Sequence, residues 1–493
     1  MCRAYLSPWY VRGGIYPADE NDVPVFDGRA NCGAITLNTV RYALEARGDE
    51  KKYFELLDKY FNLALEEHLR TFDQMKKMTG SSNPLFFCEG GCHVKVGYDE
   101  SIEKAIRTFT WSFGYIGLDE ATRLMRGCEL AEDPSFALKV LTHLNMRIEE
   151  AKDKHKLLFA LYGTPAEGLA YKFRDKDYAK YGEVEGVTDK KYYMNSFHVN
   201  VKTHVDWRTK QDIEDPLFHK SNGGHIVYSE FGTAKNFKAI KEAIDYAMKY
   251  GKYYGINLEL DKCADCGAEG EFAGFVCPVC GSVNILAIAR VCGYLSYRLV
   301  DGDTRFNKGK EQETEDRVDH TNIELLDRTG NSYDPKAMMN LVSIQDWDLA
   351  NGEGWNVSVW VSGCPHKCVG CHNSEYWNPD TGVAYRDEEW QTIMKALQDN
   401  AINQKNLSIL GGEPLAPYNI LGVHNLVTQA KEQIPNLKIY LWTGYTLDEL
   451  KDNELAQSIL DEVDVVIDGR FEEDKKQAGL ELRGSSNQKI YRK

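Results

Sequence analysis

The C-terminal third of this 493-residue chain is the part whose fold the sequence constrains most, because strand-like and helical stretches alternate in it. Four short, β-rich apolar runs follow one another: NVSVWVSG, NLSILGG, KIYLWTG and DVVIDG. Stretches with helical spacing separate them near residues 387–400, 421–435 and 447–460. Such alternation predicts a parallel α/β sheet with right-handed crossovers, whose ligands gather beyond the carboxyl ends of the strands.

Residues suited to ligand binding follow each of these runs. The segment GCPHKCVGCHN after the first run is a C-x3-C-x2-C array of Cys364, Cys368 and Cys371. Three thiolates this close can hold three corners of a cubane iron–sulfur cluster and leave the fourth iron open. A structural zinc site would need a fourth ligand, such as His366 or His372. At the ends of the other three runs lie Gly411 and Gly412 with Glu413 and Pro414 directly after them, then Thr443 and Gly444, and then Asp468.

A C-x3-C-x2-C array after the first strand of an α/β domain, with GGEP after the next strand, resembles the radical S-adenosylmethionine enzymes. This resemblance implies a 4Fe-4S cluster on the three cysteines, whose open iron binds the amino and carboxylate groups of S-adenosyl-L-methionine. It also implies that Gly411 to Glu413 contact the amino group. Pro414, Thr443, Gly444 and Asp468 are then expected at the same cofactor site.

Within that superfamily, residues 339–493 resemble the small activase of anaerobic ribonucleotide reductase. The segments that carry the resemblance are NLVSIQDWDLANGEGWNVSVWVSGCPHKCVGCHN, WTGY, DGRF and LRGSSNQ. It implies that one electron, from a flavodoxin-like donor, passes through the cluster to S-adenosyl-L-methionine. The deoxyadenosyl radical formed in this way takes a hydrogen atom from a glycine of a partner protein.

A second group of cysteines lies in KCADCGAEGEFAGFVCPVCGS. It consists of two C-x2-C pairs set ten residues apart: Cys263, Cys266, Cys277 and Cys280. This spacing is typical of a tetrahedral four-cysteine zinc knuckle and favours structural Zn2+ over a pair of redox dithiols. A closed four-thiolate site has no open position, so we expect this zinc to stabilise the fold.

Gly293 lies thirteen residues after Cys280, in ARVCGYLSYR. A glycine in such a place indicates by itself only a turn or a close approach. However, a zinc knuckle followed by RVCGYL and then by RFNKGKEQETEDRVDH resembles the C-terminus of the anaerobic ribonucleoside-triphosphate reductases. That resemblance implies that Gly293 carries a glycyl radical, so that target and activase share one chain.

Further segments of residues 1–320 resemble the same reductases: SPWYVRGGIYPADENDVPVFDGRANCGAITLN, YGTPAEGLAYKF, NSFHVNV and HKSNGGHIVYSEF. The opening MCRAYLSPWY matches the family's cysteine loop, with Ala4 where relatives often have serine. The resemblance implies that Cys2 receives the radical from Gly293 and abstracts the 3′-hydrogen of a ribonucleoside triphosphate, after which the 2′-hydroxyl leaves as water.

Three more positions carry over from the family. Asn31 in GRANCG is implied to hydrogen-bond the ribose hydroxyls, and Glu167 in YGTPAE to transfer protons, with Tyr162 beside it. Without the resemblance, an asparagine in a turn and a glutamate at a helix start would explain the first two equally simply.

The resemblance implies an α/β fold class: the C-terminal half of a ten-stranded glycyl-radical α/β barrel plus a small radical-SAM partial α/β barrel. Half a barrel would expose sheet edges and apolar core. We therefore expect an N-terminal reductase half in trans, from a split or interrupted gene; a truncated reading frame is the alternative. The charged, turn-rich composition between 300 and 340 indicates a boundary. The expected domains are 1–255 (half barrel), 256–320 (knuckle and glycyl loop), 321–338 (linker) and 339–493 (activase).

The formal net charge of -16 excludes a general affinity for nucleic acid or anionic membranes, because no basic stripe is present. No apolar run reaches the length of a membrane span, and the N-terminus lacks the features of a signal peptide. We expect a cytoplasmic protein, whose thirteen cysteines are metal ligands, redox groups or buried thiols. A homodimer is one option, and the reductant is formate or a dithiol protein.

Two other functions compete with a reductase fused to its activase. The chain could be an activase carrying a glycyl domain for a different radical enzyme. It could also be non-catalytic, a spare glycyl-radical domain that restores a damaged reductase. A spare domain needs Gly293 but has no use for Cys2, Asn31 or Glu167, so these three residues favour the reductase.

Overall fold

A computed structural model describes residues 4–232, 236–258, 260–270, 272–300, 303–326, 333–477 and 479–493. The chain is a mixed α/β protein that divides into two compact units. The first unit comprises Met1–Thr203, Thr209–Ser229 and Tyr250–Val318. The second comprises His204–Arg208, Glu230–Lys249 and Asp319–Lys493.

Both units contain strands and helices. The strands are β1 (Trp9–Tyr10), β2 (Pro24–Val25), β3 (Asn31–Asn38), β4 (Thr110–Ile116), β5 (Leu158–Gly163), β6 (Val227–Phe231), β7 (Tyr254–Leu258), β8 (Leu260–Cys263), β9 (Glu269–Gly270), β10 (Ile285–Arg290), β11 (Leu295–Val300), β12 (Asp303–Thr304), β13 (Ile323–Glu324), β14 (Asn340–Asp348), β15 (Asn356–Val361), β16 (Val383–Ala384), β17 (Asn406–Gly411), β18 (Ile439–Thr443), β19 (Val465–Asp468) and β20 (Lys489–Arg492). The helices are α1 (Thr39–Ala46), α2 (Glu50–Met75), α3 (Pro84–Phe87), α4 (Glu103–Ile106), α5 (Leu118–Arg126), α6 (Ser135–His155), α7 (Glu167–Tyr181), α8 (Trp207–Phe218), α9 (Phe237–Lys249), α10 (Lys308–Glu315), α11 (Asp387–Gln398), α12 (Ile420–Gln433), α13 (Leu447–Leu450) and α14 (Glu454–Glu462).

A parallel sheet of β3, β4 and β5 forms the centre of the first unit. Every residue of β4 and β5 is buried, as expected for parallel strands covered by helices on both faces. The crossovers are α1 to α4 between β3 and β4, and α5 and α6 between β4 and β5. These strands agree with the expected α/β class; a ten-stranded barrel stays a prediction.

Two helix ends depart from the apolar spacing of the sequence. Apolar residues keep helical spacing over 135–161, but α6 stops at His155 and β5 begins at Leu158. Lys156 ends the helix in the left-handed conformation, with φ at 54°. Likewise the stretch 447–460 holds two helices, because the side chain of Asn453 accepts a hydrogen bond from the amide of Ala456 and starts α14 anew.

A five-stranded antiparallel sheet in the first unit has the order β12-β11-β10-β8-β9. Its strand β8 ends at Cys263, which pairs with Ile285 at the start of β10. Strand β10 ends at Arg290, which pairs with Leu295 at the start of β11. One strand of roughly 20 Å therefore joins the region of the paired cysteines to the turn that contains Gly293.

The second unit is built on a sheet with the order β13-β14-β15-β17-β18-β19-β20, in which β16 also pairs with β14. Strands β15, β17, β18 and β19 are parallel neighbours, which confirms the predicted strand–helix alternation. Side chains such as Val359, Ile409 and Leu441 are fully buried between this sheet and the helices. Within the predicted linker, Ile323–Glu324 pairs with β14, and residues 327–332 lie outside the described residues.

In the parts of the chain that the structure describes, no helix is both long enough and apolar enough to cross a membrane.

Candidate functional site

The two C-x2-C pairs converge on one point. The Sγ atoms of Cys263 and Cys280 are 3.6 Å apart, those of Cys266 and Cys277 are 3.5 Å apart, and all four lie within 4.8 Å of one another. A zinc ion with Zn–S bonds of 2.3 Å would hold tetrahedral thiolates about 3.8 Å apart. The donor set and its spacing therefore fit a four-thiolate zinc site.

Each C-x2-C pair of this knuckle lies in a backbone turn of the same kind. The amide of Gly267 donates to Cys263 O and the amide of Gly281 to Cys277 O, each at 2.9 Å. The two glycines have φ angles of 76° and 72°, which residues with side chains adopt only with strain. Hydrogen bonds from the amides of Cys266 and Asp265 lower the pKa of the Cys263 thiol to about 7. The backbone thus places these sulfur atoms in positions that suit a metal.

Gly293 lies in the four-residue turn between β10 and β11, where the amide of Val291 donates to Tyr294 O at 2.9 Å. Gly293 is half-buried. Its neighbours point in opposite directions, since Cys292 is 1% exposed and Tyr294 is 50% exposed. We call residues 291–294 the glycine turn.

The glycine turn lies against the end of β5 and the start of α7. The hydroxyl of Tyr294 donates to Oε2 of Glu167 at 3.1 Å, and the Cys292 thiol lies 4.0 Å from Oδ1 of Asn195. The same Asn195 oxygen accepts a hydrogen bond of 2.6 Å from the amide of Ala166. The structure thus brings the predicted residue Glu167 to the glycine turn. It adds Asn195, which lies in the segment NSFHVNV but had not been singled out as a site residue.

Buried charges hold the glycine turn from another side. On α10, Lys310 and Glu313 form an ion pair, and Nε of Arg317 donates to Oε1 of Glu313 at 3.1 Å. Nη2 of Arg317 also donates to the carbonyl oxygen of Arg290, at the end of β10, at 2.9 Å. Although burial would raise it, Arg317 and Lys310 hold the pKa of Glu313 well below its ordinary value. The carboxylate is therefore ionised at neutral pH.

The other predicted residues of the first unit lie elsewhere. Asn31 begins β3 and donates from Nδ2 to Oγ of Ser112 at 2.7 Å. Because β3 and β5 run parallel, Asn31 and Glu167 lie toward opposite ends of the sheet. Tyr162 is buried within β5, where it pairs with Gly114. Cys2 lies outside the described residues.

The three-cysteine loop follows β15 in the second unit. Cys364, Cys368 and Cys371 are all half-buried. Burial raises the pKa of the Cys364 thiol to about 11 and also raises the pKa of Cys368. The loop lies at the carboxyl edge of the parallel strands, as the sequence predicted.

Glu413 joins the loops that converge on this edge. It is fully buried, and its Oε1 accepts hydrogen bonds from the amide of Leu415 at 3.0 Å and the hydroxyl of Thr443 at 2.8 Å. Its Oε2 accepts from the amide of Gly444 at 2.7 Å and lies 3.0 Å from Nε2 of His366. The carboxylate therefore fixes the relative positions of the loops after β15, β17 and β18.

His366, between Cys364 and Cys368, is oriented by both of its ring nitrogens. Nδ1 accepts a hydrogen bond of 3.1 Å from Nε of Arg470, so the proton lies on Nε2, which donates to Glu413. The ring also packs edge-on against Tyr445, with centroids 4.5 Å apart. These partners disfavour His366 as a fourth zinc ligand. The sequence had marked it only for that role, although its place inside the cysteine array was a usable signal.

Two glycines at this edge allow close backbone contact. A Cβ on Gly411 would come within 2.8 Å of the amide nitrogen of Val361, and one on Gly412 would collide with the carbonyl oxygen of Gly363. The amides of Gly412 and Glu413 donate to Val361 O at 2.8 Å and Gly363 O at 2.7 Å. These bonds tie the segment to the strand that leads into the three-cysteine loop.

Asp468, at the end of β19, is 3% exposed and pairs in register with Thr443. Its Oδ2 accepts a hydrogen bond of 3.0 Å from the amide of Leu447. Asp468 thus holds the start of α13 at the same edge of the sheet. Pro414 lies between Glu413 and Leu415, the residue whose amide Glu413 binds.

Comparison with known proteins matches both parts of the chain. The anaerobic ribonucleoside-triphosphate reductase family matches residues 1–320, and a 4Fe-4S single cluster domain matches residues 350–491. The anaerobic ribonucleoside-triphosphate reductase of Salmonella typhimurium is 35% identical over 334 residues, which are 65% of this chain. The chain spans 45% of that relative, about half its length.

Two further proteins are similar to this chain. The anaerobic ribonucleoside-triphosphate reductase-activating protein of Pasteurella multocida is 41% identical over 154 residues, which are 31% of this chain and 98% of that protein. A solved anaerobic ribonucleotide reductase aligns with 59% of this chain and 45% of its own, at 23% identity and a TM-score of 0.47. Since the reductase family covers 320 of the 493 residues, this chain belongs to the anaerobic ribonucleoside-triphosphate reductase family.

Proposed function

We propose that this chain takes part in the anaerobic reduction of ribonucleoside triphosphates to 2′-deoxyribonucleoside triphosphates by glycyl and thiyl radical chemistry. Its C-terminal part is proposed to be the activase that forms the glycyl radical. The observation that carries this proposal is the combination, in one chain, of a glycine turn joined to a four-thiolate knuckle and a C-x3-C-x2-C loop at the carboxyl edge of a parallel sheet. Similarity to a reductase and to a separate activating protein supports it.

In this proposal residues 1–255 belong to the C-terminal half of a ten-stranded glycyl-radical barrel, and residues 256–320 hold Zn2+ and present Gly293. Residues 321–338 connect them to a partial radical-SAM barrel of residues 339–493. Because the matched part covers 45% of the related reductase, a polypeptide that completes the barrel in trans is included among the partners to be tested. A second copy of the chain, as in a homodimer, is another partner to be tested.

The thiolates of Cys364, Cys368 and Cys371 would hold the 4Fe-4S cluster. When bound, the cluster and S-adenosyl-L-methionine, with one electron from a flavodoxin-like donor, would supply the radical chemistry that removes a hydrogen atom from Gly293. The amides of Gly412 and Glu413 already donate within the protein, so the backbone carbonyl groups of Gly411 and Gly412 are the groups suited to accept from the amino group. Glu413, Thr443, Gly444 and Asp468 would act by fixing the shape of this pocket.

In the reduction step, the radical of Gly293 would pass to the thiol of Cys2, which takes the 3′-hydrogen of the substrate. Asn31 was expected to hydrogen-bond the ribose hydroxyls, but it binds Ser112 toward the other end of the sheet from Glu167, so it is not assigned to the ribose that Glu167 would serve. Glu167, with Tyr162 nearby in sequence, would move the proton with which the 2′-hydroxyl leaves as water. Formate or a dithiol protein would supply the two electrons. The hydrogen bond between Tyr294 and Glu167 supports a place for this carboxylate beside the glycine turn.

Electron paramagnetic resonance tests the radical directly. The full chain is reconstituted anaerobically with iron, sulfide and zinc, and is then given S-adenosyl-L-methionine and a reductant. We expect a glycine-type doublet that is absent in Gly293→Ala. Gly97→Ala is the matched control, because Gly97 is exposed, has no left-handed φ and leaves room for a Cβ. Cleavage of S-adenosyl-L-methionine without a doublet in the unaltered chain would contradict activation within this chain.

Nucleotide turnover then separates the reductase from the other functions. Deoxyribonucleotide formation is measured with formate or with a dithiol, with and without a polypeptide that covers the rest of a related reductase. Turnover that Cys2→Ala abolishes while the doublet remains would support the reductase. A doublet without turnover under every condition would favour a spare glycyl-radical domain. A doublet that appears only on another glycyl-radical enzyme would favour an activase for that enzyme.

A further inference from the structure

We infer that the amino edge of the parallel sheet in the second unit is a protein-docking face, and that its partner is the element formed by residues 204–208, 230–232 and 236–249. We call this partner the docking element. It falls in the region that the reductase family matches, whereas the edge falls in the part that the 4Fe-4S domain matches. The structure places both in one compact unit.

Asn236 of the docking element binds the loop that leads into β15. Its Nδ2 donates to the carbonyl oxygens of Leu349, Gly352 and Gly354 at 3.0, 2.9 and 2.8 Å. Its Oδ1 accepts from the amide of Gly354 at 2.9 Å. Only an amide side chain offers donors and an acceptor in this arrangement, and Asn236 is 9% exposed. Asn236 therefore binds this loop through the loop's backbone groups.

Glu242, on α9, binds the loop that leads into β17. Its Oε1 accepts from the amides of Ile402 and Asn403 at 3.1 and 3.0 Å, and its Oε2 accepts from Nδ2 of Asn403 at 2.8 Å. The residue is 5% exposed. A buried carboxylate is tolerated only when hydrogen bonds replace its water, and here the sheet edge provides three of them.

Trp207 supplies the apolar centre of the face. It is fully buried, stacks on Trp355 with centroids 5.2 Å apart and meets Trp347 edge-on, also at 5.2 Å. Tyr246 of α9 packs against Trp207 at 5.6 Å. At the rim, Arg208 forms an ion pair with Asp399 at 2.7 Å. Buried aromatic anchors with a polar rim are the arrangement of specific protein interfaces.

The docking face and the three-cysteine loop lie at opposite ends of the same strands. The face surrounds Asn356 and Asn406, where β15 and β17 begin, whereas the cysteines and Gly412 follow the ends of these strands. Six residues of strand separate the two edges by roughly 20 Å. The docking element therefore holds the domain without covering the edge at which the cysteines lie. Its role would be retention, separate from engagement of the glycine.

If the docking face holds the two parts of the chain together, they should stay associated after the chain between them is cut. A cleavable version of the protein tests this. In the full-length protein, residues 327–332 are replaced by a protease recognition sequence, and the folded protein is cut and passed over a size-exclusion column at low micromolar concentration. We expect the fragments to co-elute. A chain that also carries Trp207→Ala and Glu242→Lys should separate after cutting. Strand β13 stays paired with β14 in both proteins, so the difference reports the docking face.

The matched control is Lys241→Ala with Asp245→Ala, an exposed ion pair on α9. It should co-elute like the parent. Zinc content and circular dichroism of the uncut proteins show that the variants fold. Separation of the parent fragments, or co-elution of the Trp207 and Glu242 variant, would overturn the inference. Radical formation is not measured, so failure here is distinct from failure of the proposed function.

A milder variant gives a second readout in the uncut chain. Glu242→Gln removes acceptor capacity, so the amides of Ile402 and Asn403 should exchange with deuterium at least tenfold faster. Lys241→Gln should leave them unchanged. Equal protection in Glu242→Gln and the parent would also overturn the inference.

Discussion

The two cysteine sites of this chain are organised in opposite ways. In the knuckle, the four thiols lie within 4.8 Å of one another, and within the described residues no other group of three or more histidine, cysteine, aspartate or glutamate side chains converges to this degree. In the three-cysteine loop, the thiols are half-buried and do not all lie within that distance of one another. What holds that loop is protein: Glu413 and His366 connect it to two neighbouring loops.

The two sites differ in the source of their stability. The knuckle has a small core around Cys263, Phe272, Cys277 and Ile285, so we expect a bound metal to supply most of its folding free energy. The three-cysteine loop is anchored to a large core and to a buried carboxylate. Loss of zinc should therefore disturb the fold around the glycine turn, whereas loss of a cluster should leave the second unit folded.

The largest expected effect is zinc removal. Structural zinc contributes on the order of 10 kcal/mol to domains of this kind. Cys263→Ser, or a strong chelator, should abolish hydrogen-exchange protection in β10 and loosen the glycine turn. Cys128→Ser serves as the control, because Cys128 is a half-buried thiol in the bend that follows α5. Retained protection of Ile285 to Arg290 in the zinc-free chain would show that the knuckle folds without metal. The knuckle would then not differ from the three-cysteine loop in its source of stability.

A charge cluster should anchor the far end of β10 whether or not zinc is present. Glu313→Gln leaves Lys310 and Arg317 buried without their carboxylate, which costs about 3–5 kcal/mol when one partner of a buried pair is removed. The expected result is a lower urea midpoint for the first unit. Glu132→Gln, at an exposed position, is the control. An unchanged midpoint would mean that zinc alone fixes the strand.

The same cluster predicts a pH dependence. Because the pKa of folded Glu313 lies below its ordinary value of 4.5, its contribution to stability is complete above that pH and is lost as the pH falls further. Unfolding of the parent should become easier below about pH 4.5, and Glu313→Gln should flatten this dependence. Parallel pH profiles for the two proteins would exclude this carboxylate as the cause.

Glu413 should be the main support of the three-cysteine loop in the absence of any cluster. Glu413→Ala leaves the amide of Gly444 and the hydroxyl of Thr443 without their buried acceptor, at a cost of about 3 kcal/mol. The free energy of unfolding of the second unit, measured on iron-free protein, should fall by this amount. Glu432→Gln, exposed on α12, should have no effect. If the free energy of unfolding of the second unit depended on iron and not on Glu413, the three-cysteine loop would be stabilised by its cluster.

The smallest effect is expected for His366. His366→Ala removes one hydrogen bond to Glu413 and one from Arg470, at a cost of about 1 kcal/mol. In the iron-loaded chain, the Kd for S-adenosyl-L-methionine should rise roughly tenfold because the pocket is less well ordered. His372→Ala, exposed in the same loop, is the control. Loss of iron from the His372 variant alone would show that His372 is a ligand.

Much of this molecule could be predicted from local patterns. The strand–helix alternation, the two C-x2-C turns and the placement of cysteines after a strand all depend on residues close together in the chain. The observed helices depart from the apolar spacing at α6 and at α13 and α14, where a left-handed residue or a capping asparagine decides where a helix stops or starts. Cys2 and the barrel stay predictions.

Spacing and periodicity act over a few residues, so they were enough to find the two cysteine arrays and the strands that carry them. Which distant groups meet depends on the folded chain. Tyr294 and Glu167 are 127 positions apart, and Asn236 lies 113 to 118 positions from the carbonyl groups that it binds. Strand order and packing bring such pairs together, and hydrogen bonds between buried polar groups then fix them, since an unpaired partner would be costly.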